Sequence, residues 1–133
     1  METTTFDNDI KVFYVTAKSF PDGIEEAHKK LHELLPSMDR RYFGVSRPED
    51  GVIVYRAAAE EKEEGEAEKL NLDTLILKKG KYISKTIKDF MQNIPEIGKT
   101  FQDLLKNPDI DPEGYCVEWY YNDKDVKCMV RLS

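Results

Sequence analysis

The sequence predicts an α+β protein of two tandem βαββ units that share one antiparallel sheet, with both helices on one face. Three observations lead there. Two helical segments carry apolar residues at identical offsets, 70 residues apart. Each is preceded by β-type sequence and followed by two shorter β-type runs. The chain has 133 residues, the length of a single domain spanning 1–133, so neither half, at about 60 residues, buries much surface by itself.

The first nine residues are expected to be a flexible N-terminus. From Ile10 to Ser19, IKVFYVTAKS is β-branched and aromatic and reads as a strand, broken by Pro21, Asp22 and Gly23. In GIEEAHKKLHELLP, Ile24, Ala27, Leu31, Leu34 and Leu35 fall at offsets 0, 3, 7, 10 and 11, one face of a helix. Glu25 and Glu26 suit its first turn and Pro36 stops it. RYFGVS and VIVYRAAA, parted by Arg47 to Gly51, predict a hairpin. The stretch from 59 to 70 holds six acids and two lysines and reads as a solvated, mobile acidic loop. LNLDTLILKKGKYISKTI then gives one bent strand or two strands around Lys79-Gly80. Ile94, Ile97, Phe101, Leu104 and Leu105 repeat the helical offsets, with Asn93 at the cap, Pro95 in the first turn and Asn107-Pro108 as the stop. GYCVEWYYN and VKCMVRLS, joined across Asn122-Asp123-Lys124-Asp125, close the order as a second hairpin.

Charge and composition narrow the function classes. The net charge is -6, but the acidic loop alone carries -4, and the nearly balanced remainder has no basic stripe for nucleic acid. No apolar run approaches the roughly 20 residues that cross a bilayer, and the N-terminus lacks the marks of a signal peptide. A cytoplasmic chain without nucleic-acid or membrane partners, monomeric or weakly dimeric, is expected. Cys116 and Cys128 are too few for a disulfide scaffold and read as buried thiols. His28 and His32 have a metal-compatible spacing but lie among Lys29, Lys30 and Glu33, so a solvated face is expected and no metal or cofactor. Phosphate-loop, dinucleotide, nucleophile-elbow and zinc-protease motifs are absent, and the serines have no histidine partner for a hydrolytic triad.

Tyr115 to Tyr121 holds four of the fourteen aromatic residues and one carboxylate. On a strand, Cys116, Glu118 and Tyr120 share one face, and Tyr115, Val117, Trp119 and Tyr121 the other. Glu118 is either a rim residue facing water or paired with Lys127, or a carboxylate held among aromatic rings. The second arrangement suits a cationic or hydrogen-bond-donating ligand, because ring faces and carboxylate both attract positive charge where water is excluded. Tyr55 and Tyr82 add flat apolar area and a hydroxyl each. Trp119 joins them only if a bulge or twist brings it round.

The ordered set RYFGVS, VIVYRAAA, LKKGKYISKTI and GYCVEWYYND resembles the GyrI-like small-molecule-binding domain, the effector-binding domain of bacterial transcription activators. Phe43-Gly44, Tyr55 with Ala57, Gly80 with Tyr82, and Glu118 with Tyr120 fall on that family's short motifs, from about Ile10 to Leu132. The resemblance implies two βαββ modules related by a pseudo-twofold and a pocket at their seam. In it a glutamate, here Glu118, contacts cationic or polar ligands. Glu118, Tyr55, Tyr82, Trp119, Tyr120 and Phe43 are the expected ligand-binding residues of a stand-alone binding protein, with no segment left for a helix-turn-helix. Some branches of the family are hydrolases of strained electrophiles, a role for which Glu118 as general base and Tyr82 are the catalytic candidates. A third reading is inhibition of a partner such as DNA gyrase by surface binding.

Overall fold

The computed structural model describes residues 2–35, 39–122 and 124–133. The strands are β1 (Glu2–Phe6), β2 (Ile10–Thr16), β3 (Tyr42–Glu49), β4 (Val52–Glu60), β5 (Asp73–Leu77), β6 (Gly80–Ile87), β7 (Cys116–Trp119) and β8 (Val126–Arg131). The α-helices are α1 (Ile24–Leu34), α2 (Glu66–Leu70) and α3 (Ile94–Leu104), with a 3-10 turn at Phe90–Gln92 before α3. The eight strands among the described residues form one antiparallel sheet in the order β1-β6-β8-β7-β3-β4-β2-β5.

That order forces the sheet to curl. β5 and β6 are six strand positions apart, about 29 Å in a flat sheet, yet only Lys78 and Lys79 join them. Residues 7–9 make the equivalent short link between β1 and β2. The two edges are therefore drawn toward each other, and the inner face closes on a core that includes Phe6, Val12, Phe43, Val45, Tyr82 and Met129. The outer face carries both long helices. Ala27, Leu31 and Leu35 pack on Phe13, Ala57 and Ala59, while Phe101 and Leu104 pack on Val126, Cys128 and Val130. The register connects these two patches across one face, through Cys128 opposite Glu118, Glu118 opposite Gly44, and Gly44 opposite Ala57.

Both expected hairpins form. The first is tighter than expected: β3 runs on through Pro48 to a two-residue turn at Asp50-Gly51, both with positive φ. Pro48 is tolerated because β7 begins only at Cys116, opposite Ser46, so no strand beside Pro48 needs its missing N–H. Around Lys79-Gly80 the two-strand alternative holds. Pro36, the expected stop of the first helix, and Asp123 in the second hairpin turn lie outside the described residues.

Two expectations are corrected. Residues 2–6 are not a loose terminus but strand β1, paired with β6, fixed by Phe6 in the inner core and by a 2.8 Å bond between the Thr4 and Ser84 hydroxyls. The acidic stretch is not a loop throughout: β4 extends to Glu60 and α2 begins at Glu66. Glu66 takes a bidentate contact from Arg40 at 3.1 and 2.9 Å and accepts the N–H groups of Lys62 and Glu63. Glu61 pairs with Lys11 and accepts the Ala67 N–H. With Glu60 on Arg41, three of the six carboxylates are thus each held by a cation, while Glu63, Glu64 and Glu68 are exposed.

Candidate functional site

Between α1 and α3, over the seam where β3 meets β7, lies a cavity of about 1030 Å³. Glu118, Tyr120 and Cys116 lie on its sheet side, His28 and Ile24 on the α1 side, and Phe90, Ile94 and Phe101 on the α3 side. Its lining also includes exposed apolar residues: Phe20, Ile53, Met91 and Ile94.

Glu118 is 7% exposed. Its Oε1 accepts the Tyr55 hydroxyl at 3.2 Å and, through a very short contact, the Tyr120 hydroxyl. Among the described residues no donor reaches the second carboxylate oxygen. The Tyr55 hydroxyl also meets His28 Nε2 at 2.7 Å. Rings surround the group: Phe20 stacks on Tyr55, His28 meets both Tyr55 and Tyr120 edge-on, and Phe90 meets Tyr120. Burial raises the Glu118 carboxyl above its ordinary range, and the two phenol hydrogen bonds pull it only partly back. Burial first and the Glu118 charge second raise both tyrosine hydroxyls, so they remain donors. Burial, with a smaller contribution from His32, holds the His28 imidazole down at about 4 and thus neutral at physiological pH. The Cys116 thiol is pushed up to about 11 by burial, then by Glu118, which removes it as a ready nucleophile.

One backbone position makes this approach possible. A Cβ on Gly44 would stand 2.1 Å from the Tyr55 hydroxyl oxygen and 3.0 Å from Glu118 Oε1. Glycine in β3 is the gap through which a β4 side chain and a β7 side chain reach each other.

The structure brings together Glu118, Tyr55 and Tyr120, as expected, and separates Tyr82, Trp119 and Phe43 from them. Phe43 and Trp119 are paired across β3 and β7 with inward parity, and no bulge turns the tryptophan. Tyr82 is in the same inner core, its hydroxyl donating to the Lys78 carbonyl at 2.7 Å. The expected pairing of Tyr82 with Glu118 is corrected on that ground: a curled sheet lies between them. Lys127 does not pair with Glu118; it stands opposite Trp119, its ammonium over the indole. His28, expected on a solvated face, is the residue that sequence reasoning misses. At 3.6 residues per turn it lies only about 40° from Ile24 and about 20° from Leu35 on the helical wheel, at the border of the apolar stripe.

No family model and no curated protein matches the sequence. The fold is shared with solved structures. An integron cassette protein from the mobile metagenome of Vibrio cholerae superposes with a TM-score of 0.73 at 12% identity, covering 99% of this chain and 95% of that one. A hydrolase from Listeria innocua superposes with a TM-score of 0.58 at 11% identity, covering 99% and 90%. Among the described residues no group of three metal-ligating side chains assembles, and no helix is long and apolar enough to cross a membrane.

Proposed function

We propose that the chain is a small-molecule-binding protein that takes an amphipathic or cationic organic ligand in the cavity between α1 and α3. The observation that carries this is Glu118: a buried carboxyl among five aromatic or imidazole rings, with one oxygen held by two phenols and the other left for a ligand. A carboxylate at an apolar wall is costly to bury unless something positive or hydrogen-bond-donating completes it. The exposed apolar rim then receives the rest of the molecule. The reading also takes the chain as a GyrI-like domain of two βαββ units, β2-α1-β3-β4 and β6-α3-β7-β8. Its support is the strand order, which reads β6-β8-β7 outward-in on one side of the seam and β2-β4-β3 on the other, with an eleven-residue helix in each unit.

Calorimetric titration with phenyltrimethylammonium and its neutral isostere tert-butylbenzene tests the proposal. Glu118→Gln keeps the shape and removes the charge, and should weaken the cation by about 10- to 100-fold, a part of the roughly 4 kcal/mol of Coulomb attraction between two charges about 4 Å apart at a half-buried site, leaving the neutral ligand unchanged. Equal affinities for both ligands in both proteins would refute it.

A second reading is favoured by the same juxtaposition and by the hydrolase among the structural neighbours. Glu118 would draw a proton from water while Tyr55 or Tyr120 donates to the opening electrophile. Turnover of strained electrophiles above a Glu118→Gln control would establish it.

A further inference from the structure

The Tyr55 hydroxyl has one hydrogen and two close partners, His28 Nε2 at 2.7 Å and Glu118 Oε1 at 3.2 Å, with the Tyr120 hydroxyl, which already donates to Oε1, farther off at 3.4 Å. A phenol donates to one and accepts from the other. Two arrangements satisfy it. With Glu118 ionised, the carboxylate only accepts, so Tyr55 donates to Oε1 and His28 donates from Nε2. With a proton on Oε1, the carboxyl donates to the Tyr55 oxygen, Tyr55 turns its hydrogen to Nε2, and His28 carries its hydrogen on Nδ1. We propose that Tyr55 links Glu118 and His28 into a proton relay, so that the tautomer of His28 follows the charge on Glu118.

The transfer balances. The Glu118 O–H bond breaks as the Tyr55 oxygen takes that proton and passes its own to Nε2, leaving a carboxylate and an imidazolium. The imidazolium then releases its Nδ1 hydrogen to solvent. The path gives the carboxyl a second proton route, on the α1 side, beside the direct one through the cavity that Glu118 lines. His28, burdened by desolvation, holds the proton only in passing.

Other groups around this path are few. On α1, His32 is one turn away, and Asp22 and Glu25 lie at the helix start. From the sheet side come Tyr55, Cys116, Glu118 and Tyr120, with Tyr42 and Arg40 farther along the cavity. Arg40 is engaged by Glu66. The α3 side offers Phe90, Ile94 and Phe101, none of which titrates. Tyr120 also touches both groups, but it meets His28 by its ring, so among the described residues Tyr55 is the hydroxyl that hydrogen-bonds both Glu118 and an imidazole.

The chain has only two histidines, so ring 15N resonances of the full protein are assigned with a single His32→Gln variant. In the ligand-free protein, the His28 hydrogen should move from Nδ1 to Nε2 at the same midpoint at which the Glu118 carboxyl 13C signal reports ionisation. A His28 tautomer unchanged through that midpoint overturns the relay. In Tyr55→Phe the two groups should titrate with separate midpoints and the tautomer should stay fixed; a tautomer change that persists there also overturns it. Below the Glu118 midpoint, phenyltrimethylammonium should switch His28 to Nε2–H and release about one proton per ligand, read as buffer-dependent binding heat. This arm rests on the binding proposal. Cation binding that leaves His28 unmoved refutes the relay and spares the anchor, whereas absent binding refutes the anchor and leaves the relay to the ligand-free titration.

Discussion

Gly44→Ala is the sharpest probe of the site, because it adds one methyl group where the structure has no room. The new Cβ would lie 2.1 Å from the Tyr55 oxygen, 2.8 Å from its Cζ and 3.0 Å from Glu118 Oε1, against an ordinary contact of 3.4 Å or more. Tyr55 is 1% exposed, with Phe20 stacked on its ring, so the hydroxyl has to move by more than about 1 Å with little space to receive it. Overpacking of this kind costs about 1–3 kcal/mol, and stretching the bonds from Tyr55 to His28 and Glu118 adds about 1 kcal/mol each. A loss of about 3–5 kcal/mol in urea unfolding is expected, with cation affinity reduced at least tenfold. Gly51→Ala is the control: φ there is +81° with nothing within 4 Å, so it should cost about 1 kcal/mol of backbone strain and leave affinity alone. If Gly44→Ala is no worse than Gly51→Ala in stability and binds the cation normally, the side chains do not meet over Gly44 and the site as described is wrong.

Tyr82→Phe should cost about 1 kcal/mol, from the lost bond to Lys78, and leave ligand affinity unchanged, since Tyr82 is on the inner face; urea unfolding and calorimetry check both halves. Glu118→Gln should leave stability at neutral pH unchanged or raised, because the folded state holds that carboxyl above its ordinary value and so disfavours its charge. The His28 imidazole is lowered from 6.5 to about 4, so the unfolded chain binds the extra proton between those values; stability should fall as pH drops through that window, and His28→Gln should flatten the slope. Glu66 is lowered to about 2, first by its hydrogen bond from Arg40, so its contribution is present above the unfolded carboxylate value and lost as pH falls toward 2; Glu66→Gln should remove that acid-side loss in a pH series of thermal melts.

The helices and hairpins were legible because their signals are local. The two helices follow from apolar offsets, and the second hairpin from a turn in which the Asn122 side chain accepts the N–H groups of Lys124 and Asp125. What the sequence hid depends on distant partners. β1 is one glutamate, three threonines and one phenylalanine, too polar to announce a strand, and it exists because Phe6 packs on Tyr82 of the neighbouring strand and on Phe43 across the curl. The acidic segment reads as a solvated loop until Arg40, 26 residues away from Glu66, is seen to hold it.

The misplacement of Tyr82 has a more general cause. A sheet with water on one face alternates apolar and polar residues, and the alternation tells which side chains share a face. This sheet is covered on both faces, by the helices outside and by its own curl inside, so Tyr82 and Ile83 are both packed, on opposite sides. Hydropathy then cannot choose between faces. Polar groups that need partners can. Glu118 and Tyr55 are enclosed groups whose desolvation is offset in part only where they meet, and the residue between them on the sheet must be small enough to let them meet. Gly44, paired with Glu118 on one side and with Ala57 on the other, is therefore the position from which the site's face is read. His28 follows by the same logic, because the Tyr55 hydroxyl, once it donates to Glu118, still needs a donor, and α1 is the element packed over β4 that supplies one.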